Sequence, residues 1–132
     1  MLRTGEKAAY MISVSDNQFQ AMVNEAAARL PEPHKSQITN VALLYADQPS
    51  AEQEDKIGLR QDQLLLGLYE GVPLTQRQGM QPHLPDKITL FKDALQLLST
   101  DQNDLQQRIY HTLWHEVAHY YGLDHPAIHA LE

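Results

Sequence analysis

Apolar residues recur at helical spacing in two widely separated parts of the chain. Ser15 and Gln18 have the spacing of a capping box, and Pro31 ends the apolar positions that follow, which are Phe19, Met22, Val23, Ala26 and Leu30. In such a box the hydroxyl and the amide satisfy backbone N–H groups that the first helical turn leaves unpaired. The second stripe, Leu105, Ile109 and Leu113, begins just after two candidate N-caps, Thr100 and Asp101. The spacing predicts an N-terminal helix and a long C-terminal helix.

Three shorter apolar runs lie between these helices. Residues 41–46 predict a short, largely buried strand. Residues 64–69 fit a strand or a buried helix; Gly67 within the run and the turn residues after it favour the strand. A third strand is predicted around Ile88 and Leu90.

The remaining segments read as connections and one short helix. The polar stretch 47–62 predicts a peripheral loop with one helical turn, and residues 93–98 predict a short helix. The proline-containing stretch 76–85 predicts a loop long enough to border a site.

Length and charge narrow the class of protein. The chain has 132 residues, which suits one domain, and we expect that domain to span 11–132, with 1–10 as an extension outside the fold. A formal net charge of -7 without a basic cluster disfavours nucleic acid as a partner. The sequence has neither a membrane-spanning stretch nor a signal-peptide block and contains no cysteine, so we predict a cytoplasmic protein without disulfides.

The chemistry is concentrated in the run HEVAHYYGLDH at 115–125, within the predicted C-terminal helix. His115 and His119 are four residues apart, so both imidazoles lie on one face of a helix and reach one metal ion. Glu116 projects to a different side, where it suits the general-base role on a water molecule at the metal. The flanking residues are largely apolar, which indicates a buried helix and not two solvated histidines on a surface. The run therefore predicts a zinc site with Glu116 as its catalytic group.

Three residues after the histidine pair compete for the position of third metal ligand. Gly122 is suited to end the helix and reverse the chain, which brings His125 back toward the metal. Asp124 and His129 compete for the same position, and we favour His125 because imidazole is a preferred neutral zinc ligand. Three imidazoles leave a fourth coordination position open, as catalytic zinc sites require.

Other polar residues near the run have weaker claims to a role. His111, Tyr120 and Tyr121 are candidates for stabilising an oxyanion. For the two tyrosines we favour packing in the core, whereas a supporting or merely exposed role for His111 is as well founded as a catalytic one. His34 and His83 are predicted to be surface residues.

Two upstream segments carry a resemblance to a known family, together with the metal run. They are LYEGVPLT at 68–75 and LPDKITLF at 84–91. With HExxHxxG, they resemble the minimal zincins, a small bacterial family of zinc metallopeptidases, over residues 15–132. The resemblance implies an α+β fold in which a small mixed β-sheet packs against an N-terminal helix and a C-terminal active-site helix. It also implies a zinc ion held at His115 and His119, Glu116 as catalytic carboxylate, and a peptide or protein substrate.

The departure from the family pattern falls on the third ligand. The family more often has Asp where this chain has His125, and His there gives metzincin spacing. None of the seven residues after His125 is methionine, so the Met-turn of the metzincins is missing. We therefore expect a minimal zincin and not a full metzincin.

Two other functions fit parts of the pattern. The histidine spacing with Gly-Leu-Asp-His also resembles the metal helix of bacterial ribosomal-RNA maturation endonucleases, although their motif has Gly at the position of Glu116. A non-catalytic metal-binding module is the third hypothesis, because an open cleft is not visible in a sequence. Acidic charge and the upstream resemblance favour the peptidase over the nuclease.

Overall fold

A computed structural model describes residues 12–32, 35, 41–58, 63–71 and 86–120. Within them the chain forms four helices and three strands. In chain order these are α1 (Asp16–Ala28), β1 (Val41–Ala46), α2 (Ala51–Ile57), β2 (Gly67–Glu70), β3 (Asp86–Phe91), α3 (Lys92–Leu98) and α4 (Gln102–Tyr120). The α+β class, with a small mixed sheet packed against an N-terminal and a C-terminal helix, is confirmed.

The strands form one sheet in the order β1-β3-β2. β1 runs parallel to β3, with Val41 opposite Asp86. β2 runs antiparallel to β3, with Gly67 opposite Leu90. β3 is therefore the central strand, and among the described strands β2 lies at the edge nearer the C-terminal part of α4.

The hydrophobic core lies between one face of the sheet and the helices α1 and α4. Its fully buried members include Phe19, Val23 and Ala26 of α1, Ile88 and Leu90 of β3, and Leu105, Ile109, Leu113 and Val117 of α4. Ring contacts extend the core to the edge, because Phe19 packs on Tyr45 of β1 with centroids 5.4 Å apart. Both predicted apolar stripes are confirmed as the core faces of their helices.

Capping fixes where the long helices begin. Gln18 N donates to Ser15 Oγ at 3.1 Å and Ser15 N donates to Gln18 Oε1 at 3.0 Å, so the predicted capping box is formed. At α4, Asp104 N donates to Asp101 Oδ1 at 2.7 Å. Of the two candidate caps it is therefore Asp101 whose side chain receives the helix N–H.

The segment 47–62 differs from the prediction, because it contains the seven-residue helix α2 where one helical turn was expected. Ser50 and Gln53 form a second capping box, with bonds of 3.1 and 2.9 Å. Gly58 ends the helix in the left-handed conformation at φ 68°. No residue of α2 is buried, so the helix has no apolar stripe from which periodicity would have revealed it.

The other predicted elements agree with the structure where it describes them. β1 matches its predicted bounds, β2 begins three residues later than predicted, and β3 and α3 occur as expected. The predicted loop at 76–85, the extension at 1–10, His34 and His83 lie outside the described residues. No helix among the described segments has the length and apolar character needed to cross a membrane.

Candidate metal centre

The two histidines of the metal motif lie side by side on the C-terminal half of α4. The rings of His115 and His119 are edge to face, with centroids 4.9 Å apart and planes inclined at 78°. Both side chains are half-buried. The i,i+4 spacing thus produces the expected pair of adjacent imidazoles.

Glu116 lies between this helix and strand β2, with only 6% of its surface exposed. Its Oε1 accepts a hydrogen bond from the backbone N–H of Tyr69 at 2.9 Å. The same oxygen lies 3.1 Å from Nδ1 of His119. Both contacts use Oε1, so the carboxylate is anchored through one oxygen. The contact with His119 was not part of the sequence prediction, which placed Glu116 on a different side of the helix.

The contact with Glu116 shifts the pKa of His119. The hydrogen bond to the carboxylate, helped by its negative charge, raises the pKa of His119 above its ordinary value, although burial acts in the opposite direction. An ionised carboxylate only accepts hydrogen bonds, so the Nδ1 atom of His119 is the donor. Nε2 is then the ring nitrogen that would bind a metal, as is usual for a histidine ligand whose other nitrogen donates to a carboxylate.

Strand β2 approaches α4 closely because residue 67 is glycine. A Cβ at Gly67 would lie 2.7 Å from Cγ2 of Thr112 and 3.4 Å from Cγ of Glu116. Gly67 does not have a positive φ, so the position requires space and not an unusual backbone conformation. This close approach brings the backbone of β2 within hydrogen-bonding distance of Glu116.

A cleft of about 350 Å³ opens beside the histidine pair. It is lined by Leu65, Leu66, Gly67, His111, Thr112, His115 and Glu116. His111 is exposed there, with its ring edge to face with Tyr110 at 5.8 Å between centroids. One candidate base and one histidine of the pair therefore face a space that a ligand can enter.

A second layer of contacts lies behind Glu116, on the side of β2. Tyr69 Oη donates to Oδ2 of Asp86 at 2.7 Å, and its ring packs edge to face on Tyr120 at 6.0 Å between centroids. Tyr120 is buried, which agrees with the packing role favoured for it. Gly67, Tyr69 and Asp86 were not predicted as site residues; glycine inside an apolar run, a mark of close backbone approach, was the available signal.

The described part of the donor set fits a zinc ion, because it provides two neighbouring imidazoles, one of them oriented by a carboxylate. Among the described residues no group of three or more His, Cys, Asp or Glu side chains is arranged to hold a metal. The three candidates for the third ligand, His125, Asp124 and His129, lie outside the described residues, as do Tyr121 and Gly122. The ligand roles of His115 and His119 and the catalytic role of Glu116 remain predictions.

Comparisons with known proteins agree with this architecture. The model of a protein family described as zincin-like metallopeptidase matches residues 38–132. Among solved structures, a conserved hypothetical protein from Thermus thermophilus superposes with a TM-score of 0.55 at 18% identity, over 82% of this chain and 94% of the other. At that identity the likeness concerns the fold alone. A search of curated proteins finds no match.

Proposed function

The chain belongs to the zincin-like metallopeptidase family, and from this premise we propose that it is a zinc-dependent peptidase with Glu116 as general base. The observation that carries the proposal is that His115 and Glu116 line one cleft, with His119 in contact with both of them. His115 and His119 present neighbouring rings, and Glu116 is anchored beside them with its carboxylate at the cleft wall. A buried carboxylate next to paired imidazoles is the arrangement that metal-assisted hydrolysis needs.

The metal would be held by His115 and His119, with His125 as the proposed third ligand. When bound at such a site, zinc polarises a carbonyl group and lowers the pKa of water to about 7. The remaining chemistry falls to the side chains of the chain itself.

Glu116 would move the proton. Its Oε1 is engaged by Tyr69 N and by His119, so Oε2 is the oxygen proposed to accept a proton from the attacking water. The protonated carboxyl would then deliver that proton to the nitrogen of the departing amine. His111, exposed in the same cleft, is the proposed donor to the oxygen of the scissile carbonyl, since Tyr120 is committed to packing.

The proposed substrate is an extended peptide lying along the cleft. β2 has β3 on one side and α4 with the cleft on the other, and Leu65, Leu66 and Gly67 line that cleft. An extended peptide can add to a strand edge through backbone hydrogen bonds, with side-chain specificity supplied by the neighbouring wall. The leucines provide an apolar wall, so we expect an apolar substrate residue to be preferred there.

Metal content is the first test. The purified chain should bind zinc at one ion per chain by elemental analysis, and His115→Ala or His119→Ala should abolish this binding while circular dichroism remains that of a folded protein. A folded wild-type protein that stays metal-free in excess zinc would contradict the proposal.

The catalytic role of Glu116 is tested by Glu116→Gln, assayed on a fluorogenic peptide library. The variant should keep its zinc and lose hydrolysis, because the amide cannot take a proton from water. Glu25→Gln, the same substitution at an exposed position of α1, should behave as wild type. Equal hydrolysis by Glu116→Gln would exclude this mechanism, and RNA cleavage that survives the substitution would favour the nuclease instead.

A further inference from the structure

Tyr69 makes three contacts, two with the C-terminal half of α4 and one with the central strand β3. Its backbone N–H donates to Glu116, its ring packs on Tyr120, and its hydroxyl donates to Asp86 at the start of β3. The contact with Glu116 and that with Tyr120 both tie strand β2 to the helix, whereas the contact with Asp86 ties β2 to the central strand.

The register of the sheet explains why the N–H of Tyr69 faces the helix. In an antiparallel pair, alternate residues bond the partner strand and the residues between them point away from it. Phe91 N of β3 donates to the carbonyl of Leu66, which places the even-numbered residues of this segment on the bonded side. The N–H of Tyr69, opposite Ile88, is therefore directed out of the ladder and bonds Glu116.

Asp86, at the start of β3, is the acceptor to which the side chain of Tyr69 is bonded. It is buried with 6% of its surface exposed and accepts the Tyr69 hydroxyl at 2.7 Å. Gly71, at φ 155°, lies against it, and a Cβ at that position would overlap the carboxylate. Glycine at 71 therefore leaves the space that the carboxylate of Asp86 occupies, and the hydroxyl of Tyr69 is bonded to a buried carboxylate.

We infer that Tyr69 is the positioning residue of Glu116, with Asp86 as its support: the Asp86–Tyr69 bond holds β2 where the backbone N–H of residue 69 fixes Oε1 of Glu116 and leaves Oε2 for the water. The inference rests on the proposed function for its kinetic consequence. The coupling of Asp86 to Glu116 through Tyr69 does not itself depend on catalysis.

The kinetic test is Tyr69→Phe, which removes the hydroxyl and keeps the ring and the backbone N–H. We expect kcat to fall about 10-fold to 100-fold, the usual loss when an outer-shell partner of a metal site is removed, with KM and bound zinc unchanged. Tyr45→Phe is the matched control, because Tyr45 lies on β1 at the far side of the sheet and packs on Phe19. It should leave kcat as in wild type. An unchanged kcat in Tyr69→Phe would overturn the inference.

Asp86 variants separate positioning from general loss of structure. Asp86→Asn keeps an oxygen that accepts from the tyrosine hydroxyl, so it should retain most of the wild-type kcat. Asp86→Ala should match Tyr69→Phe, and adding Asp86→Ala to Tyr69→Phe should change kcat by less than about 3-fold, since both remove one interaction. Independent, multiplying losses in the double variant would contradict the inference. If Asp86→Ala does not fold, the Tyr69→Phe and Asp86→Asn results still decide it.

Amide hydrogen exchange gives a readout that needs neither metal nor activity. In the metal-free protein the amide of residue 69 should exchange about 10-fold faster in Glu116→Ala, because its acceptor is gone, and also faster in Tyr69→Phe. The amide of Leu90 in the central strand should be unaffected in both variants. Unchanged exchange at residue 69 would overturn the inference whatever the kinetics. A wild-type protein with this exchange pattern but without hydrolysis would instead overturn only the proposed function.

Discussion

The two halves of helix α4 are built on different principles. The N-terminal half presents Leu105 and Ile109 to α1 and the sheet, and both are fully buried among apolar side chains. The C-terminal half continues this apolar face with Leu113 and Val117, and in addition it buries Thr112 and Glu116 against strand β2. The first half is held by the removal of apolar surface from water, whereas the second half adds to this a close backbone approach and specific hydrogen bonds.

This difference separates the stability of the fold from the geometry of the site. Apolar packing has no preferred direction, so the first half tolerates small shifts at modest cost. The bond from Tyr69 N to Glu116, by contrast, depends on a donor and an acceptor 2.9 Å apart. Substitutions in the first half should therefore change mainly the free energy of unfolding, and substitutions around the second half mainly the function.

Ile109→Ala should have the largest effect on stability. The side chain is fully buried in the first half of the helix, and its truncation should lower the free energy of unfolding by about 2–5 kcal/mol. Ile109→Val, which removes one methylene, should lower it by about 0.5–1.5 kcal/mol, and urea titration of both variants measures the two losses. At a temperature where Ile109→Ala is folded, its zinc content and kcat should equal those of wild type. A loss of kcat without a loss of stability would remove the distinction between the two halves.

Gly67→Ala tests the second half of the helix from the side of the strand. The added methyl would lie 2.7 Å from Cγ2 of Thr112, so the strand or the side chain must move, at a cost of about 1–3 kcal/mol. Hydrolysis should fall further than stability alone explains, because the same shift stretches the bond from β2 to Glu116. Kinetics and urea titration on one preparation measure both effects.

Two further variants test whether the lack of space between β2 and α4 causes the loss of hydrolysis in Gly67→Ala. Thr112→Ser removes Cγ2, so combining it with Gly67→Ala should restore most of the lost activity. Gly58→Ala is the control, since that glycine has φ 68° with nothing within 4 Å of its Cβ position. It should cost stability through backbone strain and leave catalysis unchanged. Failure of Thr112→Ser to rescue would show that the closeness of β2 to α4 is not what Gly67 provides.

The difference between the two halves of α4 also explains which features of the fold and the site were predictable from the sequence. Periodicity and capping predicted α1 and the core stripe of α4, because both depend on residues within one helix. The helix α2 was underestimated because it buries nothing. The motif predicted that His115, Glu116 and His119 share a helix, but Glu116 is bonded to Tyr69, 47 positions earlier in the chain. Such a partner follows from strand register and from the space at Gly67, which a linear pattern does not contain.

Ser15→Ala should have a smaller effect on the free energy of unfolding, at a position far from the histidine pair. It removes the hydroxyl that accepts from Gln18 N, and the loss of such a cap costs about 1 kcal/mol. Thermal unfolding should show this loss, while zinc binding and kcat stay at their wild-type values because the cap lies at the far end of α1 from the histidine pair. A change in zinc affinity would indicate that the stability of α1 and the geometry of the site are coupled.

The smallest expected effect is a pH dependence of the free energy of unfolding, which arises from Glu116 and His119 in the second half of α4. Glu116 raises the pKa of His119, so in the metal-free protein the stabilisation from this pair is fully present below the unfolded histidine pKa of about 6.5 and is lost as pH rises through the raised value. The stability difference between wild type and Glu116→Gln, measured in chelator, should thus be more favourable to wild type near pH 6 than near pH 8. The change should stay below about 1 kcal/mol, because His119 is partly exposed and solvent screens the pair. Glu25→Gln should show no such trend; a trend of the opposite sign would mean that the carboxylate does not face a protonatable Nδ1.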